Sequence, residues 1–344
     1  MSNSSGLRKY KYLSGPHQPR FHYAIISLVN GMEFGVQIEP QFGYTFDDVS
    51  KIADVALKTG FSTIWFSDHF MLDKDATNRI LLEPWLLMTA LTQQNHKIRV
   101  GSMVFCQSYR NPALTAKMAA TLDVLSNGRL EFGIGAGWKE IEYKAYGYPF
   151  PKPITRINEL ADTVQIIRGI WTNARYTFKG KHYQVDDVIS FPKPIQDPMP
   201  IWIGAQNGKE YMLRLAAKHG DGINIAWMIT PEDLDRRFQR FAHLTKKYRR
   251  DTSDIQKSVG LWTRIFESEE EMEKAIIENA KERNISIDEY RERVAQALWG
   301  TPDYMVKRLR EFTEIGVTHF IFMFPHEQEI AQIKMFGKAV LSKL

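Results

Sequence analysis

The pair Asp68-His69, within Ser67-Asp68-His69-Phe70, directly follows an apolar run over residues 61–66. A histidine in that place can polarise or protonate a bound group near neutral pH. A capping aspartate beside a structural histidine is the plainer reading. Glu39 ends another apolar run, over residues 32–38, where a carboxylate can give up a proton or orient His69; a solvated loop glutamate fits equally well. Two glycine runs accompany these groups. In Gly133-Ile134-Gly135-Ala136-Gly137-Trp138 the last glycine of the dinucleotide-binding spacing is missing, so the run reads as an opening kept clear for a flat ring system. Gly204-Ala205-Gln206-Asn207-Gly208 leaves an apolar run and enters a helical one; its N–H groups can cradle a phosphate, or it is a plain turn. Glu140 and Glu142 follow the first run closely, and Glu140 also suits the first turn of a helix, whose dipole favours acids. The histidines show no metal-ligand spacing. The single cysteine, Cys106, sits in an apolar stretch and reads as a small buried hydrophobe, compatible with a reducing compartment.

Apolar strands alternating with amphipathic helices must position these groups. The pattern predicts strands over residues 32–38, 61–66, 98–105, 130–134, 200–204, 222–225, 258–266 and 318–324. Such alternation makes a parallel sheet whose crossovers are helices, and this many units close into a (β/α)8 TIM barrel with its chemistry at the C-terminal strand ends. Helix starts are well marked by Thr45 with Asp48 three residues on, by Asn111-Pro112 and by Thr301-Pro302. After the fourth strand the rhythm breaks. Residues 138–198, with prolines at 149, 151, 153, 192 and 194 and a hairpin near 176–185, read as an insertion in the barrel. Tyr143, Tyr146, Tyr148 and Phe150 at its start read as a lid that sets specificity.

Residues 1–31 read as an extension, frayed or docked to a partner, ahead of one barrel domain over 32–344. The apolar run at 23–29 follows a long basic lead and has no Ala-x-Ala site after it, so it does not read as a signal peptide. The net charge of +5 is dispersed and argues against nucleic acid as a partner, although it suits an anionic ligand. No run is long enough for a membrane helix, and a soluble, cytoplasmic protein is expected.

Several motifs together resemble the luciferase-like superfamily, and within it the branch that uses the 5-deazaflavin coenzyme F420. They are Ser67-Asp68-His69-Phe70, Arg110-Asn111-Pro112, the stretch from Ala119 to Arg129 and the run Gly133 to Trp138, in matching order and spacing. The resemblance is clear over about 32–224 and loose beyond. It implies a barrel, a coenzyme in its mouth, and a homodimer or higher homo-oligomer. It further implies that Asp68 and His69 contact the ring and the substrate, with His69 handling a proton. A non-prolyl cis peptide at Met103-Val104 would bulge against the ring, Ala136, Gly137 and Trp138 would line it, and Gly204, Ala205, Gln206, Asn207 and Gly208 would take the coenzyme's phosphate. One departure matters. Sugar-phosphate dehydrogenases that share these motifs carry a catalytic glutamate where this chain has Trp138, so Glu39 or Glu142 is left as the acid. The expected activity is hydride transfer between F420 and a small organic molecule; an FMN-dependent monooxygenase and a non-catalytic flavin-binding barrel are the alternatives.

Overall fold

The computed structural model describes residues 31–206 and 208–344. The expected extension therefore lies, but for Gly31, outside the described residues, as does Asn207. The strands are β1 (Glu33–Ile38), β2 (Thr63–Phe66), β3 (Arg99–Cys106), β4 (Leu130–Gly135), β5 (Tyr176–Lys179), β6 (Gln184–Val188), β7 (Ile201–Gly204), β8 (Gly222–Trp227), β9 (Gln256–Ile265), β10 (Leu298–Gly300) and β11 (His319–Met323). Eight of them form a closed parallel ring in the order β1-β2-β3-β4-β7-β8-β9-β11, with β11 pairing back onto β1. The short β10 adds to the outer edge of β9, and β5 and β6 make a separate antiparallel hairpin.

The ring follows from the sequence because a parallel barrel strand is covered on both faces and so is written as an almost unbroken apolar run. All residues of β2 and β4 are buried. Helix Phe46–Lys58 opens with the full capping box, Thr45 accepting from the Asp48 N–H and Asp48 accepting in return from the Thr45 N–H. Asn111 caps helix Pro112–Leu125 by accepting from the Ala113 N–H. Inside the ring, Trp65, Met103, Trp202 and Ile321 pack together beneath Val104 and Trp227. Two indoles fit there because the neighbouring strands carry glycines. A Cβ on Gly101 would stand 2.8 Å from Trp65, and one on Gly222 would stand 2.2 Å from Trp202.

The stretch 138–198 is less of an insertion than its prolines suggest. Helix Pro153–Thr172 is the barrel's own crossover between β4 and β7, seated between helices Pro112–Leu125 and Glu210–His219. Its Trp171 indole donates to the Ala116 carbonyl at 2.9 Å on one side, and Arg168 donates to the His219 carbonyl at 3.0 Å on the other. Only helix Glu140–Ala145 and the hairpin are additional. The hairpin braces against the long helix through Asp162, whose carboxylate accepts from the His182 N–H at 2.8 Å.

Candidate active site

A cavity of about 690 Å³ opens at the C-terminal ends of the ring strands. That volume suits a small-molecule or cofactor site. Glu39, Asp68, His69, Met103, Val104, Ala136, Gly137, Trp138, Gly204, Ala205 and Gln206 all line it, so closure of the ring brings together most of the residues singled out from the sequence. Gly208 lies just behind the wall, and Glu142 does not reach the cavity.

Glu142 stands behind His69. It is fully buried in helix Glu140–Ala145, and its Oε2 lies 2.9 Å from His69 Nδ1. The Tyr109 hydroxyl donates to the same oxygen at 2.8 Å, while Oε1 accepts from the backbone N–H groups of Phe70 and Met71 at 2.9 and 3.1 Å. Burial alone would raise the Glu142 carboxyl, but the bond and charge of His69, the Tyr109 hydroxyl and nearby Lys139 outweigh it and hold the group down at about 2. Those bonds fix the tautomer and plane of the imidazole, leaving His69 Nε2 without a partner among the described residues. Trp138 meets the ring edge-on, with centroids 5.7 Å apart.

Asp68 is locked rather than free. Arg110 grips it with two bonds of 2.7 and 3.0 Å, and the Cys106 N–H adds a third at 2.9 Å. The same guanidinium reaches Glu83 at 2.6 Å. Bidentate, buried and charge-assisted, this pair ties the end of β2 to the turn after β3. Cys106 itself donates to or accepts from the Tyr143 hydroxyl at 3.0 Å, and burial pushes its thiol up to about 12, which makes it inert.

Glu39 is buried at the cavity wall and accepts from two side-chain amides, Gln37 at 2.8 Å and Gln41 on the other oxygen. No cation lies within ion-pair distance among the described residues.

The Met103-Val104 peptide is cis, as the resemblance implies, and so is Ala226-Trp227, which nothing in the sequence marked. The glycines have a different use from the one expected. A Cβ on Gly135 would come within 2.6 Å of Val104 Cγ2, and one on Gly204 within 2.6 Å of Val104 Cγ1. They make room for the Val104 side chain on the cavity floor rather than for a ligand directly. In the loop after β7, two of the N–H groups read as a phosphate cradle are already engaged: the Ala205 N–H donates to the Asn224 carbonyl and the Gly208 N–H to the Ala205 carbonyl, each at 2.8 Å. The Gln206 N–H and those of Glu210 and Tyr211, at the start of helix Glu210–His219, have no acceptor among the described residues.

The expected lid is also placed differently. Tyr143, Tyr146, Tyr148 and Phe150 do not line the cavity; Tyr143, Tyr148 and Phe150 pack with Cys106, Tyr109 and Phe70 into an aromatic wall behind His69, and Tyr146 stacks outside on Phe70. Tyr143 explains Gly137, because a Cβ there would lie 1.9 Å from the Tyr143 hydroxyl.

Charge is unevenly distributed around the cavity. On the side built by β3, β4, β7 and the helices after them, the charged lining groups are Lys139, Arg156 and Lys209. Arg156 is buried, donates to the Gly137 carbonyl at 3.2 Å and to the Pro151 carbonyl, lies 4.1 Å over the Phe150 ring and has no carboxylate partner among the described residues. Behind Gly208, Arg237 carries a buried Nη1 with no hydrogen-bond partner among the described residues. A guanidinium nitrogen buried without an acceptor is costly unless an anion completes it. Arg156, Arg237, Trp227 and Trp262 went unnoticed in the sequence, where they sit in ordinary helical or strand patterns.

Among the described residues no helix is long and apolar enough to cross a membrane. Residues 32–319 match the family model described as luciferase-like monooxygenase. An F420-dependent glucose-6-phosphate dehydrogenase of Amycolatopsis mediterranei (strain U-32) is 26% identical over 325 residues, covering 86% of this chain and 94% of the relative. Among solved structures, an F420-dependent secondary alcohol dehydrogenase in complex with an F420-acetone adduct superposes with a TM-score of 0.76 at 22% identity, covering 90% of this chain and 98% of the other. A coenzyme F420 dependent tetrahydromethanopterin reductase from Methanopyrus kandleri gives 0.72 at 19% identity, covering 91% and 99%.

Proposed function

Because this chain belongs to the luciferase-like monooxygenase family, we propose that it is an oxidoreductase moving a hydride between the deazaflavin F420 and a small organic substrate at the C-terminal mouth of its barrel. The full-length relative and two of the similar folds are named for that coenzyme. The observation that carries the reading is the divided cavity: a basic side where Arg156 meets no carboxylate, with a buried Arg237 nitrogen unsatisfied behind it among the described residues, and an oriented His69 elsewhere on the wall. An elongated cofactor with an anionic tail and a flat, mostly uncharged ring fits that division.

Arg156, Lys209 and the first turn of helix Glu210–His219 would hold the tail, with Arg237 behind Gly208 completing the charge. Val104, Ala136, Gly137, Gly204 and Ala205 would flank the ring, Val104 being held forward by the glycines at 135 and 204. Bound there, the deazaflavin supplies a carbon that takes up or gives a hydride. The protein's own part is positioning and proton handling. His69 Nε2 exchanges a proton with the substrate oxygen, Glu142 holds the imidazole plane, and Trp138 narrows the entrance beside it. Glu39, after the neighbouring strand β1, has no direct bond to His69 and shapes the field on the same side of the cavity.

Residues 32–344 act as one domain, since the main core runs from Met32 to the packed Leu344. We further assign a homodimer, supported by the outward apolar side chains Leu86, Leu114 and Leu125 on helices Pro84–Gln94 and Pro112–Leu125, and a cytoplasmic setting, supported by the unpaired Cys106.

Titrating the apoprotein with F420 and with FMN in parallel tests the coenzyme. Tight F420 binding is expected; FMN binding with no F420 binding would move the chain to the flavin monooxygenases. His69→Ala should lower kcat by roughly 10²- to 10⁴-fold with F420 affinity retained. Unchanged turnover would remove His69 from the chemistry.

A further inference from the structure

The basic side of the cavity and the side across from it are built from different chemistry. Around β1, β2, β8, β9 and β11 the lining carries no Lys or Arg at all, and its acids are Glu39 and Asp68. Asp68 is paired with Arg110, whereas Glu39 is met by two amides and by no cation among the described residues. The rest of that side carries the large apolar residues Trp227, Trp262, Phe42, Leu72 and Met323 together with polar Gln41, Ser67 and Asn224, with Trp138 at the rim. Trp262 is 46% exposed and Trp138 63% exposed, although both border a concave site. Exposed indoles around a pocket are surface that a ligand has yet to cover.

We infer that this aromatic side is the substrate subsite and that it selects an uncharged, ring-bearing ketone or alcohol, rejecting phosphorylated and carboxylated compounds. The inference rests on the deazaflavin reading, because assigning the cations to the coenzyme tail is what leaves the aromatic side to the substrate. Three physical terms point the same way. Covering the Trp262 and Trp227 faces favours a flat apolar body of one or two rings. A phosphate or carboxylate brought there faces the Glu39 carboxyl across a partly desolvated gap and finds no Lys or Arg on those strands or the loops after them, Lys139 at the His69 end being already paired with Glu142 at 3.3 Å. On that side His69 Nε2, flanked by Trp138, is free among the described residues to meet a carbonyl or hydroxyl oxygen, while Gln41, Ser67 and Asn224 are already hydrogen-bonded to Glu39, Gln41 and Ser258, so a single oxygen on an otherwise apolar ring suits this side. A glutamate in place of Trp138, as the resemblance leads one to expect in sugar-phosphate enzymes, would make that rim polar; here it is an indole.

The test uses the F420-loaded protein and reads binding by calorimetry and by quenching of tryptophan emission, with 2-tetralone, 2-aminotetralin and glucose 6-phosphate as probes. F420 affinity is measured first and separately, so a failure there condemns the coenzyme assignment and not the subsite. The ketone is expected to bind at least about tenfold tighter than glucose 6-phosphate, a gap of about 1.4 kcal/mol. Trp262→Ala should weaken the ketone by about fivefold while F420 affinity stays put. Glu39→Gln should narrow the discrimination against glucose 6-phosphate by about tenfold. The inference is overturned if the loaded protein binds glucose 6-phosphate as well as the ketone, if the amine binds tightest, or if both variants leave every probe unmoved.

Discussion

His69 and Glu142 are 73 positions apart in the chain and meet at 2.9 Å, nitrogen to carboxylate oxygen. The contact turns one imidazole nitrogen inward and leaves the other to the cavity, so Glu142 acts on chemistry it does not touch. Replacing it by glutamine keeps an acceptor for the Phe70 and Met71 N–H groups and removes the charge. Glu142→Gln is expected to lower kcat by about tenfold to a hundredfold with KM for substrate little changed. A rise in KM at constant kcat would show that Glu142 serves the wall and not the imidazole.

The same carboxyl gives a pH signature of stability. Its folded value of about 2 lies below its ordinary 4.5. A carboxyl so depressed binds fewer protons folded than unfolded, so its contribution is complete above about 4.5 and drains away as pH falls toward 2. The amount is on the order of 3 kcal/mol by linkage. Thermal melts of the native protein and Glu142→Gln between pH 7 and pH 2.5 should therefore converge in acid, the native protein losing more. Parallel curves would mean that the carboxyl is not held down by its neighbours.

Val104 is pinned between glycines at 135 and 204, whose missing methyl groups would each come within 2.6 Å of one of its two methyls. Rotation about χ1 cannot relieve both sides at once, because a β-branched side chain presents two heavy atoms in every rotamer. Gly204→Ala is expected to cost about 1–3 kcal/mol in urea denaturation and to weaken F420 binding. Val104→Ala in the same molecule should recover most of the loss. An additive double variant would place the strain elsewhere.

The ring could be read from the chain because buried parallel strands and strong caps leave local marks: the all-buried β2 and β4, Thr45 with Asp48, Asn111 before Pro112. His69 was legible for the same reason, being the first polar residues' neighbour past a strand end. The helical pattern over Pro153–Thr172 is legible, but the prolines around it make the stretch read as an insertion and hide that this helix is the barrel's own crossover; Pro153 occupies the first helical position, where a missing N–H costs nothing. β10 has three residues and no periodicity to detect. Arg156, Trp227 and Trp262 come together only when the ring closes, and Glu142 looked like an acid facing the site because nothing local says which side of a short helix is inward.

Asp68 and Arg110 supply the sharpest energetic test. Burial works against the charge of Arg110, but Asp68 and Glu83 outweigh it and hold the guanidinium above its ordinary value, so it stays charged inside the wall of the site. Removing either partner strands the other. Arg110→Met should cost about 3–5 kcal/mol, because Asp68 would remain buried with only the Cys106 N–H to satisfy it. Asp68→Asn should cost somewhat less, since Glu83 still meets the guanidinium at 2.6 Å. Joined in one chain, the two changes remove both stranded charges, and the loss should fall well short of the sum, a coupling of at least about 1 kcal/mol in a double-mutant cycle. Strict additivity by urea denaturation would mean that the pair holds nothing together, and the end of β2 that presents His69 would have to be fixed by packing alone.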